Sequence, residues 1–195
     1  MVHMVQKRNI KYEIVLALLR EKEIHLRAIS KLIKCPHSTA HREVIKLKER
    51  GIVDYETEGR NKFISLKKGI ESSYSVYQAE YYKILRFIEN HPEFSIIIEK
   101  ILENSNAGLI LLFGSYAKGN EKKDSDIDIF IETDDRKVRE KIRDINSRLS
   151  VKIGKLDIDS LLGKEIIKDH IILKGVERLY EKNQVFGRDE RKWQA

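Results

Sequence analysis

The 195-residue chain has one cysteine, Cys35, and no stretch that approaches the ~18 uninterrupted apolar residues of a membrane helix. A single thiol excludes an internal disulfide and any cysteine-rich zinc site, so Cys35 reads as a small buried hydrophobe or a turn residue. No apolar run follows a basic N-terminal start, so neither a signal peptide nor a membrane partner is expected, and the expected location is the cytoplasm. Glutamine is scarce while Lys, Glu and Ile are plentiful, a balance that fits the surface ion-pair networks of thermophiles. Charged residues make up 35% and hydrophobic ones 41%, and the mean hydropathy is −0.46, which describes a soluble chain of one large domain or two small ones.

The net charge of +7 is unevenly placed. Residues 1–68 hold 16 Lys or Arg against 8 Asp or Glu, a net +8, whereas residues 69–195 hold 22 against 23, a net −1. All the excess positive charge sits in the first third, which points to a polyanion-binding module there.

The stretch richest in chemistry is Leu109 to Glu132, LILLFGSYAKGNEKKDSDIDIFIE. Leu109 to Phe113 run without alternation into Gly114-Ser115, which predicts a short strand buried on both faces and stopped by a glycine. A helix is predicted to open at Ser115, a good N-cap, where backbone N–H groups and the helix dipole favour an anion such as phosphate. After ten further residues, Asp126 to Ile131 begin with period-two alternation, placing Asp126 and Asp128 on one side of a second strand. Two such carboxylates repel each other. The usual remedy is a hard divalent cation, and Mg²⁺ in particular binds through one or two carboxylates plus substrate phosphates.

Gly114-Ser115, the spacer Tyr116 to Ser125 and Asp126-Ile127-Asp128 together resemble the signature of the polymerase-β-like nucleotidyltransferase superfamily. The runs FGSYAKG and SDIDIFI look most like the minimal nucleotidyltransferases of prokaryotes. The resemblance implies Mg²⁺-dependent transfer of a nucleoside monophosphate from an NTP, ATP foremost, to an acceptor hydroxyl on protein or nucleic acid, with two metal ions. It implies that Asp126 and Asp128 bind metal, that Gly114 and Ser115 hold the triphosphate, and that a third carboxylate lies on the next strand. Lys155 to Asp159, KLDID, reads as that strand. Asp157 is then the expected third catalytic and metal-binding residue, with Asp159 on the same face as the alternative. Lys118, one turn into the phosphate-binding helix, is an expected triphosphate contact. Minimal nucleotidyltransferases also resemble antitoxins that modify or bind a HEPN-type ribonuclease toxin, so a separate toxin protein is a candidate partner.

Ahead of this stretch, Ile14, Val15, Leu18 and Leu19 recur at helical spacing within Asn9 to Arg20, and Leu26 to Lys34 reads as a short second helix. Pro36 breaks the pattern and suits the start of a third, with Ser38 or a neighbour as cap. In it Ala40, Val44 and Leu47 face inward, and Gly51 closes it at a C′ position. Ile52 to Glu56 and Lys62 to Leu66 read as a hairpin around Glu58-Gly59-Arg60-Asn61. Three helices followed by a hairpin resemble a winged helix-turn-helix domain over about residues 8–68. That resemblance implies DNA contact by Ser38, Thr39, His41, Arg42 and Lys46 on the third helix, and by Arg60 with Lys62 at the wing.

Residues 70–104 read as helical, broken at His91-Pro92, with Tyr74, Tyr77, Tyr81, Leu85 and Ile88 forming an apolar stripe expected to be core or homodimer contact. Asp134-Asp135 is predicted to cap a helix from Arg136 to Leu149. A helix from about Ser160 to His170 and an apolar segment, Ile171 to Tyr180, complete an α/β unit. The expected organisation is α+β: a DNA-binding domain over 1–68, a helical connector over 69–104, a nucleotidyltransferase domain with a mixed sheet over 105–186, and a tail over 187–195. The competing expectation is a transcriptional regulator or antitoxin in which the transferase fold senses nucleotide or docks a partner.

Overall fold

The computed structural model describes residues 8–58 and 61–182, with the side chains of all of these except residues 56–58, 61 and 62. Arg60 at the hairpin tip and the tail over 187–195 lie outside the described residues, as does the side chain of Lys62. The chain divides into two compact units whose boundary falls inside one helix, between Tyr82 and Lys83.

In the first unit, α1 (Ile10–Glu21) buries Ile14, Val15, Ala17 and Leu18. A three-residue strand, β1 (Glu23–His25), then leads into α2 (Leu26–Leu32) and α3 (His37–Glu49). The hairpin strands β2 (Val53–Glu58) and β3 (Asn61–Leu66) pair antiparallel, and β1 adds to the outer edge of β3, giving the order β1-β3-β2. On α3, Ala40, Val44 and Leu47 are the buried residues. Its N-cap is Pro36 with no side-chain cap, so Ser38 does not take the expected capping role. Gly51 ends α3 with φ of +70°, and the Ile52 N–H donates to the Leu47 carbonyl at 2.9 Å. This is a Schellman arrangement, in which the left-handed residue costs a glycine little and a Cβ more. Leu47 and Ile52 are both buried, supplying the apolar contact that usually accompanies it.

The helix α4 (Ile70–Asn90) is the element on which the two units share residues. Its buried side carries Ser72, Ser75, Val76, Ala79 and Tyr82, and Ser72 Oγ donates to the buried Ile52 carbonyl at 2.7 Å. The tyrosine stripe lies on the other side: Ile70, Tyr74, Tyr81 and Leu85 are 66%, 62%, 52% and 49% exposed. Tyr74, Tyr81 and Leu85 of the expected stripe are therefore not core, while Tyr77 and Ile88 are half-buried; small residues and serines, with Tyr82, form the face that packs closely.

In the second unit, α5 (Phe94–Glu103) precedes β4 (Ile110–Phe113), all four residues of which are buried. Its neighbours are β5 (Ile127–Ile131) and β7 (Ile171–Lys174), both antiparallel to it, and β6 (Leu149–Ile153) lies parallel to β5. The sheet is mixed, in the order β6-β5-β4-β7. Its core joins Ile110, Leu112, Ile127, Ile129, Ile131, Leu149 and Val151 to Phe94, Ile97, Ile98 and Ile101 of α5. The parallel β5–β6 pair needs a crossover, which is α7 (Arg136–Arg143), capped by Asp135 through the Lys137 N–H at 2.9 Å. The helix expected to reach Leu149 stops at Arg143. Asn146 Oδ1 accepts the Arg148 N–H at 2.9 Å, a local turn that releases Leu149 to open β6.

KLDID is likewise not a strand. Asp157 Oδ1 accepts the Asp159 N–H at 3.0 Å, and the Asp157 carbonyl accepts the Ser160 hydroxyl at 2.7 Å. Ser160 then caps α8 (Leu161–Lys168) by accepting the Gly163 N–H at 3.0 Å. The final helix is α9 (Val176–Lys182).

Glu132, one residue past β5 and 7% exposed, ties this unit together: it meets Arg178 Nε at 2.6 Å, Lys182 Nζ at 2.7 Å and the Leu156 N–H at 3.3 Å. Burial alone would raise its pKa, but Lys182, Arg178 and the Leu156 N–H together hold it below the ordinary value. A depressed carboxyl stabilises the fold above the unfolded-state pKa of about 4.3, and the contribution is lost as pH falls through the folded value. Glu132→Gln is expected to lower the unfolding free energy at pH 7 by about 2 kcal/mol. The difference from the wild type should shrink below about pH 4, and urea melts at pH 7 and pH 3 check both.

Candidate functional site

The site is built at the point where β4 ends. Pairing of β4 with β5 sets Phe113 opposite Asp128, so the next residue, Gly114, lies against the Asp128 side chain. Gly114 has φ of +71°, and a Cβ there would collide with the Asp128 carboxylate, with its Cγ only 3.0 Å away. Only glycine combines that backbone with that approach. The helix α6 (Gly114–Lys118) is five residues long, and its N-cap is Phe113. Ser115 is thus within the first turn and not the cap. So short a helix carries little dipole.

Asp126 is exposed just before β5, and Asp128 is half-buried on it. The structure brings the two together: burial is the first cause that raises the Asp128 carboxyl above its ordinary range, the hydroxyl of Ser150 opposes it by donating to the carboxylate, and Asp126 and Glu165 raise it further. Ser150 sits on β6 directly opposite Asp128, and Lys152, two residues on, also draws the carboxyl down.

The next strand after the pair is therefore β6, LSVKI, and it holds no acid. Asp157 therefore does not lie on the strand beside Asp128, where the third carboxylate was expected. Its oxygen is engaged in the local turn, and Leu156 beside it bonds Glu132, beyond the far end of β5. Four residues of strand separate Glu132 from Asp128, about 13 Å along the sheet. Asp159 belongs to the same turn. Among the described residues, no group of three or more His, Cys, Asp or Glu side chains is arranged to hold a metal ion.

Residues that the sequence reading missed complete the corner. Lys118 Nζ donates to Glu165 Oε1 of α8 at 2.6 Å, and that bond raises its pKa, with Asp169 and Asp128 adding smaller effects of the same sign. Arg148 Nη1 donates to the Tyr116 hydroxyl at 3.2 Å and to the Lys123 carbonyl at 3.1 Å, which pins the spacer between Gly114-Ser115 and Asp126. Of these, Ser150 had a readable signal in the alternation LSVKI. The Lys118–Glu165 contact joins residues 47 apart and had none.

On α3, Ser38, His41, Arg42 and Lys46 are exposed and Thr39 is half-buried. His41 stacks on His37 with ring planes 7° apart and centroids at 6.2 Å, and Lys46 pairs with Glu43 at 3.3 Å.

Residues 97–185 match the family model described as Polymerase beta, Nucleotidyltransferase. The match spans from within α5 to beyond α9, includes the Gly114 corner and the Asp126–Asp128 pair, and supports a domain of the nucleotidyltransferase superfamily over that segment. No curated protein gives a significant match to the chain. No helix of the described residues is long and apolar enough to cross a membrane.

Gly114→Ala is expected to destabilise the protein by about 2 kcal/mol, because the left-handed backbone and the collision with Asp128 act together. Asp128→Asn should do the opposite. A carboxyl whose folded pKa is raised gains stability as pH falls through it and opposes folding when charged, so the variant should melt at or slightly above the wild type at pH 7 and lose that pH dependence. Thermal melts of both variants across pH 4 to 8 give the comparison.

Proposed function

We propose that the second unit is a nucleotidyltransferase that accepts an NTP at the Gly114 corner, and that the first unit is a winged helix that carries it to DNA. The observation that supports the first half is the pairing of β4 with β5, which presses Gly114 against Asp128, with Asp126 within electrostatic reach of that carboxylate. The donor set is two hard carboxylates, Asp128 on β5 and Asp126 just before it. It suits one Mg²⁺ that completes its shell with phosphate oxygens and water, and it does not supply the third acid of a two-ion site. Bound there, the ion would neutralise charge on the transferring phosphate. Asp126 and Asp128 hold it, the Gly114 and Ser115 backbone and the Ser115 hydroxyl orient the phosphates, and Lys118 meets their charge. ATP is our first choice of nucleotide, and the reaction belongs in the cytoplasm.

Ser150, opposite Asp128 where a further acid would be needed, favours a second reading, in which the site binds nucleotide without transferring it and signals to the DNA-binding unit. Incubation with each α-labelled NTP, Mg²⁺ and cell extract separates the two. Transfer of label by the wild type, abolished in Asp126→Asn and Asp128→Asn, is the expected outcome, and nucleotide binding without any labelled product would leave the sensor.

For the first unit, support comes from the order of three helices and a three-stranded antiparallel sheet, the exposed Ser38, His41, Arg42 and Lys46, and the net +8 over residues 1–68. A second copy that covers the exposed α4 stripe would set two such modules on a two-fold operator. DNA affinity is expected to fall at least about tenfold between 50 and 200 mM salt and to weaken in Arg42→Ala, with a footprint of two half-sites. Affinity indifferent to salt would point to a protein partner.

A further inference from the structure

Lys118 is the one candidate phosphate ligand of the corner that carries charge, and in the structure it is engaged. Its ammonium lies 2.6 Å from Glu165 Oε1, with Asp169 and Asp128 also within electrostatic reach. Glu165 comes from α8, whose Ile166 is fully buried, so the carboxylate is presented from an anchored helix. The corner therefore faces solvent with its cation bonded to an internal anion and with Asp126 and Asp128 next to it. An unchelated triphosphate, carrying several negative charges, would have to displace Glu165 and approach two further carboxylates. A triphosphate that brings Mg²⁺ meets the carboxylates as ligands and needs only to exchange partners with Lys118.

Building on the nucleotide-site reading above, we infer that Glu165 is an internal competitor for Lys118, so that any triphosphate seated at the corner must take the lysine from it. Both side chains are substantially exposed, at 35% and 43%. Exposed pairs are weak enough to exchange, and their loss shifts an equilibrium by at most about fivefold. An ion pair kept only to fasten α6 to α8 would change the melting temperature and leave anion affinity alone.

Because the base is unidentified, the probe is inorganic tripolyphosphate, titrated calorimetrically into the full chain with EDTA or with Mg²⁺. Wild type is expected to bind weakly in EDTA and more tightly with Mg²⁺. Glu165→Gln should bind about threefold to fivefold more tightly than the wild type both in EDTA and with Mg²⁺, leaving the gain from Mg²⁺ itself unchanged. In a Lys118→Ala background, Glu165→Gln should gain less than about twofold, since the competition has lost its object. No gain in EDTA for Glu165→Gln, or an equal gain with Lys118 absent, would overturn the exchange while leaving the nucleotide site standing. Failure of the wild type to bind with Mg²⁺ would remove that site and the inference together.

Discussion

The second unit depends on one close approach, that of the Gly114 backbone to the Asp128 side chain. It follows from the register in which β4 meets β5 and is possible only because position 114 lacks a Cβ. A strand ending one residue earlier or later would turn the chain away from the carboxylate, since successive residues point to opposite faces of the sheet. Each polar group of the corner is then positioned by an apolar neighbour. Phe113 ends a fully buried strand, Ile127 and Ile129 fix the direction of Asp128, and Tyr116 packs at 4.8 Å from the Phe94 ring while Arg148 holds its hydroxyl. Strong local constraint is what holds a half-buried carboxylate beside another one.

How much of this was legible depended on how local the cause was. β4 and the start of β5 were readable because five apolar residues closed by a glycine, and then a period-two alternation, suit a strand and fit a helix poorly. The end of α3 was readable because its cause is equally local, a glycine placed where a Schellman turn needs one. β1 was not, because three residues carry no period and its partner Ile64 lies about 40 residues beyond Ile24. KLDID misled in an instructive way. Its alternation is that of a strand, but an aspartate two residues before a free backbone N–H can satisfy it locally, and Asp157 does so. The tyrosine stripe misled differently, because the helical period was right while the packing face was chosen by Ser72, Val76 and Ala79, residues small enough for close approach.

The electrostatics of the corner belonged almost wholly to what could not be read. Which acid accompanies Asp128 is decided by which strand lies next to β5, and the answer, β6 with Ser150 opposite, emerged only with the sheet order. Burial raises the Asp128 carboxyl, with Asp126 and Glu165 adding to it, while Ser150 and Lys152 restrain it. The contrast with Glu132 is useful. Burial would raise that carboxylate too, yet Arg178, Lys182 and a backbone N–H hold it below the ordinary value, and it serves the fold. A carboxylate with its partners supplied is structural.

That distinction bears on what the two readings of the second unit require. Binding a metal-complexed triphosphate needs two carboxylates, a backbone corner and a lysine that can change partners, and all four are assembled within β4, α6 and β5 with Glu165 across from them. Transfer needs in addition a group that deprotonates or orients the acceptor hydroxyl. In a three-acid site that group is fixed on the neighbouring strand, whereas here Ser150 stands there.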